Sequence, residues 1–202
     1  HIDHSGRLPL LVKRGFRGPI YTNAACGDLL PILWRDTADL GLREVERINR
    51  RREPDDPVVT PLYELDDVER ALKLVRALRY DTKYEPLPGV SLILRDAGHI
   101  LGSSSVLLEC SDVGVQRTIV FSGDLGQYDS PILLDPYPFD QADLVIMEST
   151  YGDRLHRDRE ATLAEFGEII AAADASRGNL IIPAFAIGRS KEVLYLLGLH
   201  YD

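Results

Sequence analysis

Residues 90–150 constrain the fold more than any other stretch. Four short runs, VSLILRD, SSVLLEC, RTIVFSGD and DLVIMEST, are rich in β-branched and aliphatic side chains and are separated by Gly, Asp or Pro turns. Runs of that length and composition read as strands. Three of them are followed at once by a polar side chain flanked by small residues: His99 in DAGHILGSS, Asp124 in FSGDLG and Glu148 in MESTYGD. Strand-end loops are where a rigid sheet presents reactive groups.

Helical patterns surround this strand-rich middle. Leu8, Leu11 and Val12 repeat at helical spacing, with Lys13 and Arg14 suited to a last turn and Gly15 to the C′ position. PIYTN reads as a short strand, and AACGDLLPILWRDTADL as a helix in which Pro31 is tolerable only near the first turn or at a kink. Residues 43–60 are charged and read as a solvated helix end and a loop. ELDDVERALKLVRALRY gives the clearest helical pattern, with Leu65, Val68, Leu72, Val75 and Leu78 on one face. REATLAEFGEIIAAADA predicts an amphipathic helix carrying Leu163, Phe166, Ile169 and Ile170 inward. NLIIPAFA then reads as a buried strand, and GRSKEVLYLLGL opens a further helix. The alternation predicts an α/β fold with sheets covered by helices on their outer faces.

At 202 residues and 45% hydrophobic, the chain is long enough for one good core. No stretch approaches the roughly 18 apolar residues of a membrane span, and no signal peptide is visible. Cys26 and Cys110 lie in apolar surroundings without CxxC spacing, so they read as small buried hydrophobes in a reducing compartment. The net charge of −9 argues against a general nucleic-acid binder, but leaves room for a local basic groove beside metal-binding carboxylates.

The chain opens HIDHSG, which crowds His1, Asp3 and His4 into four positions. Taken singly, the candidates have bland explanations: His99 as a structural histidine, Asp124 before a turn, HIDH as a solvated start. The conjunction is what carries information. HxDHSG, GHxxGSS and SGDxG occur in that order, each beside an apolar segment. Neutral imidazoles and ionised carboxylates are the ligand set for zinc, and an aspartate can bridge two ions. Two cations about 3.5–4 Å apart can stabilise both oxygens of an in-line phosphoryl displacement.

In these motifs the sequence resembles the metallo-β-lactamase superfamily. ESTYGDR and IPAFAIGRSKEVLYLL make it similar to the β-CASP branch of RNA-processing nucleases, which includes the cleavage-and-polyadenylation nuclease subunit and its bacterial and archaeal RNase homologues. The resemblance covers nearly the whole chain. It implies an αββα sandwich over residues 1–153, followed over 154–202 by the start of an inserted β-CASP domain. The family's HxHxDH motif would begin two residues before His1, so the chain is expected to be an internal fragment. Carried over by position, His1 and His99 would hold a first zinc and Asp3 and His4 a second, with Asp124 bridging. Asp3, Asp124 and Glu148 would be the catalytic carboxylates. Glu148, as the acidic residue of the family's motif A, would orient a histidine lying beyond Asp202 and favour its protonated form.

Basic residues have weaker claims. Arg154 and Arg157 follow motif A together with His156 and Arg159, and Arg189 opens the last helix beside Gly188; these are candidate phosphate contacts, with surface ion pairs as the alternative. NRRRE at 49–53 reads better as a solvated loop, and Tyr151 as packing rather than base stacking. His156 and His200 lack a motif and stay unassigned to metal.

The resemblance implies a two-zinc RNA phosphodiesterase, endonucleolytic, with 5′–3′ exonuclease activity left open beside it. Its implied partner is RNA, with no membrane; a homodimer and a larger RNA-processing complex both stay open. The implied compartment is the cytoplasm, or the nucleus for a eukaryotic polyadenylation factor. Two rivals remain: a small-molecule metallo-hydrolase on the same fold, and a non-catalytic scaffold paralogue. Because residues 1–202 offer an incomplete ligand set for either ion, they alone are expected to bind zinc sub-stoichiometrically and to cleave no RNA. Elemental analysis after dialysis checks this, and two tightly held zincs per chain would contradict the ligand assignment.

Overall fold

A computed structural model describes residues 1–199 of the chain. In chain order its elements are α1 (Ile2–Ser5), α2 (Leu8–Lys13), β1 (Ile20–Asn23), α3 (Ala24–Arg51), α4 (Leu65–Leu72), β2 (Val75–Leu78), β3 (Tyr84–Leu87), β4 (Val90–Asp96), β5 (Ser104–Asp112), β6 (Val115–Phe121), β7 (Leu144–Ile146), α5 (Arg159–Ala175) and α6 (Arg189–Gly198). This is the mixed α/β architecture that the alternation of periods predicts.

The sheet topology determines where the motifs fall. Strands β3 to β7 form one sheet in sequence order. Strand β4 runs antiparallel to β5, β5 antiparallel to β6, and β6 parallel to β7. Two reversals restore the direction, so β4, β6 and β7 all end at the same edge. The loops carrying His99, Asp124 and Glu148 leave from that edge. Strands β1 and β2 form a parallel pair, and a parallel bridge from Tyr80 to Leu94 links the chain just after β2 to β4. The C-terminal end of β1 therefore points the same way. There Asn23 caps α3, its Oδ1 accepting from the Ala25 amide at 2.9 Å.

Two apolar clusters hold the chain. Val12, Ile20, Leu30, Trp34, Ala38, Tyr63, Val68 and Ala71 join α2, α3 and α4 to β1. Leu78, Leu92 and Leu94 join β2 to β4, with Tyr80, Tyr84, Val106 and Leu108 packed against them. Trp34 is 0% exposed, and its indole N–H donates to Ser5 Oγ at 3.3 Å. Ser5 Oγ in turn donates to the His1 carbonyl at 3.1 Å. The core thus reaches the opening motif through its serine.

Several expectations are corrected. The helix predicted across ELDDVERALKLVRALRY stops at Leu72, and Val75 and Leu78 lie on β2. The Leu74 carbonyl accepts from Ile20, and β2 pairs with β1 from Ile20↔Val75 onward, so a tertiary strand partner overrides the helical period. Pro31 lies eighth in α3, inside the helix and beyond its first turn. The residue four places earlier, whose carbonyl a proline ring crowds, is Gly27, which has no side chain to resist adjustment. NLIIPAFA is neither strand nor buried: no described strand pairs with it, and Ile181 and Phe185 are 87% and 88% exposed. Helix α5 has the predicted bounds, but none of its residues is buried and Ile169 is exposed, so its apolar side chains do not form a core-facing stripe. Cys26 and Cys110 are free and half-buried rather than core residues. Among the described residues no helix is long and apolar enough to cross a membrane.

Trp34→Ala should destabilise the chain by about 3–5 kcal/mol in urea unfolding, because it empties the centre of the helical cluster. A loss under about 1 kcal/mol would show that this cluster is not what holds α3 in place.

Candidate metal centre

Three loops and one short helix build the site. Helix α1 carries Asp3 and His4, with His1 as its N-cap. The β4–β5 loop is folded around Ser103, whose Oγ accepts from the amides of His99 at 3.0 Å and Ile100 at 3.3 Å. The Ser103 carbonyl accepts from Tyr80 Oη at 2.6 Å. Burial pushes the Tyr80 phenol up to about 12, so it stays a donor at every working pH. Asp96 Oδ1 closes the same loop on the Gly98 amide at 2.8 Å.

The Asp124 loop is fixed by backbone contact. Gly123 has φ +60°, and a Cβ there would lie 2.9 Å from the Ser104 carbonyl oxygen. Gly126 donates its amide to the Ala97 carbonyl at 2.8 Å. A Cβ at Gly126 would lie 1.8 Å from the Gly98 carbonyl oxygen, so only glycine allows the two loops to touch. Ser105 Oγ donates to the Ser122 carbonyl at 2.6 Å, fully buried. Glu148 Oε1 accepts from the Leu125 amide at 2.7 Å, and the Glu148 amide donates to Ser122 Oγ at 3.1 Å.

These contacts converge on one oxygen. Asp124 Oδ2 lies 2.8 Å from His1 Nε2, 3.1 Å from His4 Nε2 and 3.7 Å from His99 Nε2. The His1 and His4 rings meet edge to face at 4.7 Å, and those of His1 and His99 at 5.8 Å. Donor atoms of His1, His99 and Asp124 all lie within 4.8 Å of one another. Zinc bonds of about 2.0–2.2 Å in a tetrahedron place ligand atoms roughly 3.3–3.6 Å apart; the separations from Asp124 Oδ2, 2.8 Å to His1 and 3.7 Å to His99, bracket that spacing, so these are residues that could hold a metal ion. Asp3 lies differently: its Oδ2 faces His1 Nδ1 at 3.2 Å. A carboxylate on the far nitrogen of an imidazole fixes the tautomer and leaves Nε2 available to a cation.

The Glu148 carboxyl is held below its ordinary value, first by the Leu125 amide and then by the Thr150 hydroxyl; burial and the charge of Asp124 oppose the shift. The basic candidates sit in surface pairs. Arg154 lies near Asp153 at 3.9 Å and over the Tyr151 ring, Arg157 pairs with Glu165 at 2.5 Å, and Arg189 with Glu192 at 2.9 Å. Tyr151 packs on His156, with ring centroids 3.8 Å apart. His200 lies outside the described residues. Sequence reasoning missed Ser103, Gly126 and the Trp34–Ser5 link as parts of the site; the small residues around each motif were the signal for them.

Gly126→Ala should push the Asp124 and His99 loops apart. It is expected to cost about 1–3 kcal/mol or more in unfolding free energy and to weaken zinc binding in calorimetric titration. A variant with parental stability and affinity would refute the contact.

No family model matches the chain. A ribonuclease of Thermus thermophilus is 38% identical over 200 residues, 99% of this chain and 41% of that protein. A probable RNase of Methanocaldococcus jannaschii is 33% identical over 201 residues, 98% of this chain and 43% of its own length. The transcription termination factor FttA of Methanococcus maripaludis is 30% identical over 206 residues, 100% of this chain and 30% of that protein. The chain thus spans less than half the length of these curated relatives. Among solved structures, a β-lactamase from Chitinophaga pinensis matches 85% of this chain and 69% of its own, with a TM-score of 0.37 and 15% identity. Over nearly its whole length the chain is thus similar to ribonucleases and to a transcription termination factor, and its ordered motifs, which meet on one sheet edge, resemble those of the metallo-β-lactamase superfamily in its β-CASP branch.

Proposed function

We propose that the whole protein is a zinc-dependent RNA phosphodiester hydrolase, and that residues 1–153 form its hydrolase core while 154–202 open the β-CASP insertion. The observation that carries the reading is the meeting of His1, His4 and His99 on one Asp124 oxygen. The names of the relatives, ribonuclease and termination factor, favour a nucleic-acid substrate over a small molecule. Helices α2 to α4 all bury residues whereas α5 and α6 bury none, which supports the division.

His1 and His99 would hold one zinc and His4 would contribute to a second, with Asp124 shared; Asp3, expected as a ligand of the second ion, instead faces His1 Nδ1. Bound zinc supplies an acidified water and positive charge for the phosphate oxygens. The chain's own residues set the geometry. Asp124 holds the three imidazoles in register, and Asp3 fixes the tautomer of His1. Glu148 holds the Leu125 amide, and with it the backbone next to Asp124. Being ionised, Glu148 can also keep a neighbouring histidine protonated for the leaving oxygen.

In the complete protein Asp124→Ala should abolish RNA cleavage with little change in melting temperature, since the side chain lies on a loop. Near-normal cleavage in excess zinc would reduce Asp124 to a turn residue. Glu148→Gln keeps an acceptor for Leu125 and removes only the charge. It should retain zinc and RNA binding but slow cleavage, most at high pH, as a pH–rate profile alongside metal analysis would show; zinc lost in step with activity would place Glu148 among the ligands. The sign for stability is opposite to that for an imidazole. A carboxyl held below its ordinary 4.5 stabilises the fold above that pH, and the contribution fades as pH falls through the native value. Acid unfolding of Glu148→Gln should therefore depend less steeply on pH than that of the parent.

A further inference from the structure

A groove of about 530 Å³ begins at Asp3 and His4 and runs along α2, lined by Arg7, Leu8, Leu11 and Arg14 among others. Arg7 and Arg14 bracket the helix as its N-cap and C-cap. Seven residues are close to two turns, so both side chains leave the helix on one side, about 10 Å apart along its axis. Arg17, Arg35 and Arg95, by contrast, are engaged: Arg17 donates to the Val12 and Phe16 carbonyls, Arg35 to Glu69 and Arg95 to Asp81. Among the described residues neither the Arg7 nor the Arg14 side chain has a hydrogen-bond or ion-pair partner, and both are exposed. Two unpaired guanidiniums on a chain of net charge −9, in a groove that also takes in His4, offer donors suited to an anion. The anion of Asp3 does not serve, since its carboxylate faces His1 Nδ1.

From this we infer that the α2 groove is the track for the single-stranded RNA flanking the scissile bond, with Arg7 and Arg14 each contacting one phosphate and Leu8 and Leu11 forming an apolar floor beneath the sugars and bases. The inference rests on the hydrolase reading for the identity of the polymer. It takes the partner to be nucleic acid because the cations are spaced along a strip that begins at the proposed reaction centre. A guanidinium donates in a planar fork that matches phosphate oxygens. Leucines beside it tolerate any base, so the track binds without reading sequence.

The test uses the full-length protein and a fluorescent 20-nucleotide single-stranded RNA, with binding followed by anisotropy in EDTA so that no cleavage intervenes. The double variant Arg7→Gln/Arg14→Gln should bind about tenfold more weakly at moderate salt. The slope of log affinity against log salt should flatten by about 1.4, at about 0.7 for each phosphate that an arginine no longer neutralises. Zinc content should be unchanged, cleavage should suffer in KM rather than kcat, and Arg7→Lys/Arg14→Lys should recover part of the affinity. Unchanged affinity and slope would overturn the inference. So would unchanged affinity with a lowered melting temperature, which would give the groove to packing by another part of the protein. Full-length protein that binds RNA in this arginine-dependent way but cleaves no phosphodiester would sustain the track and sink the hydrolase reading.

Discussion

The close approach of Gly126 to the Gly98 backbone is the constraint on which the site depends. A single methyl group at Gly126 would fall 1.8 Å from a carbonyl oxygen, so the β4–β5 loop and the loop after β6 can share a hydrogen bond only because no side chain intervenes. That contact brings His99 beside Asp124. The opening helix then completes the cluster, held from behind by Ser5 and the buried Trp34. Sheet geometry supplies the coarse placement, by ending β4, β6 and β7 at one edge. Backbone packing supplies the fine placement.

Electrostatics follow from that frame. One carboxylate oxygen faces three imidazole nitrogens, an arrangement that is sound for an anion among donors and equally suited to a cation among lone pairs. A second carboxylate, Asp3, backs His1, and a third, Glu148, grips the amide next to Asp124. Three acids thus do different work according to what each one touches: sharing, orienting and anchoring.

Much of this was legible in the residues. Strands β4, β5 and β6 announce themselves by β-branched runs ending in Asp, Gly or Ser, and their order places His99 and Asp124 at strand ends. What stayed hidden depends on partners distant in sequence. Val75 and Leu78 keep a helical spacing with Leu65 and Val68, and only the availability of β1 makes them a strand. Strand β3 includes Pro86, which argues locally against a strand and is tolerated because β3 is an edge. NLIIPAFA has strand composition, but no described neighbour offers it a ladder. Arg14 reads from sequence as a helix-end cation, and Arg7 draws no attention; their shared groove exists only once α2 packs.

His1, His99 and Asp124 are proposed as a preorganised ligand set. Anomalous diffraction at the zinc edge from crystals of the full-length protein tests it most directly. A zinc peak is expected within about 2.0–2.2 Å of His1 Nε2, His99 Nε2 and an Asp124 oxygen, with the loops unmoved. A zinc bound without Asp124, or one that draws in only one of the two histidines, would contradict it.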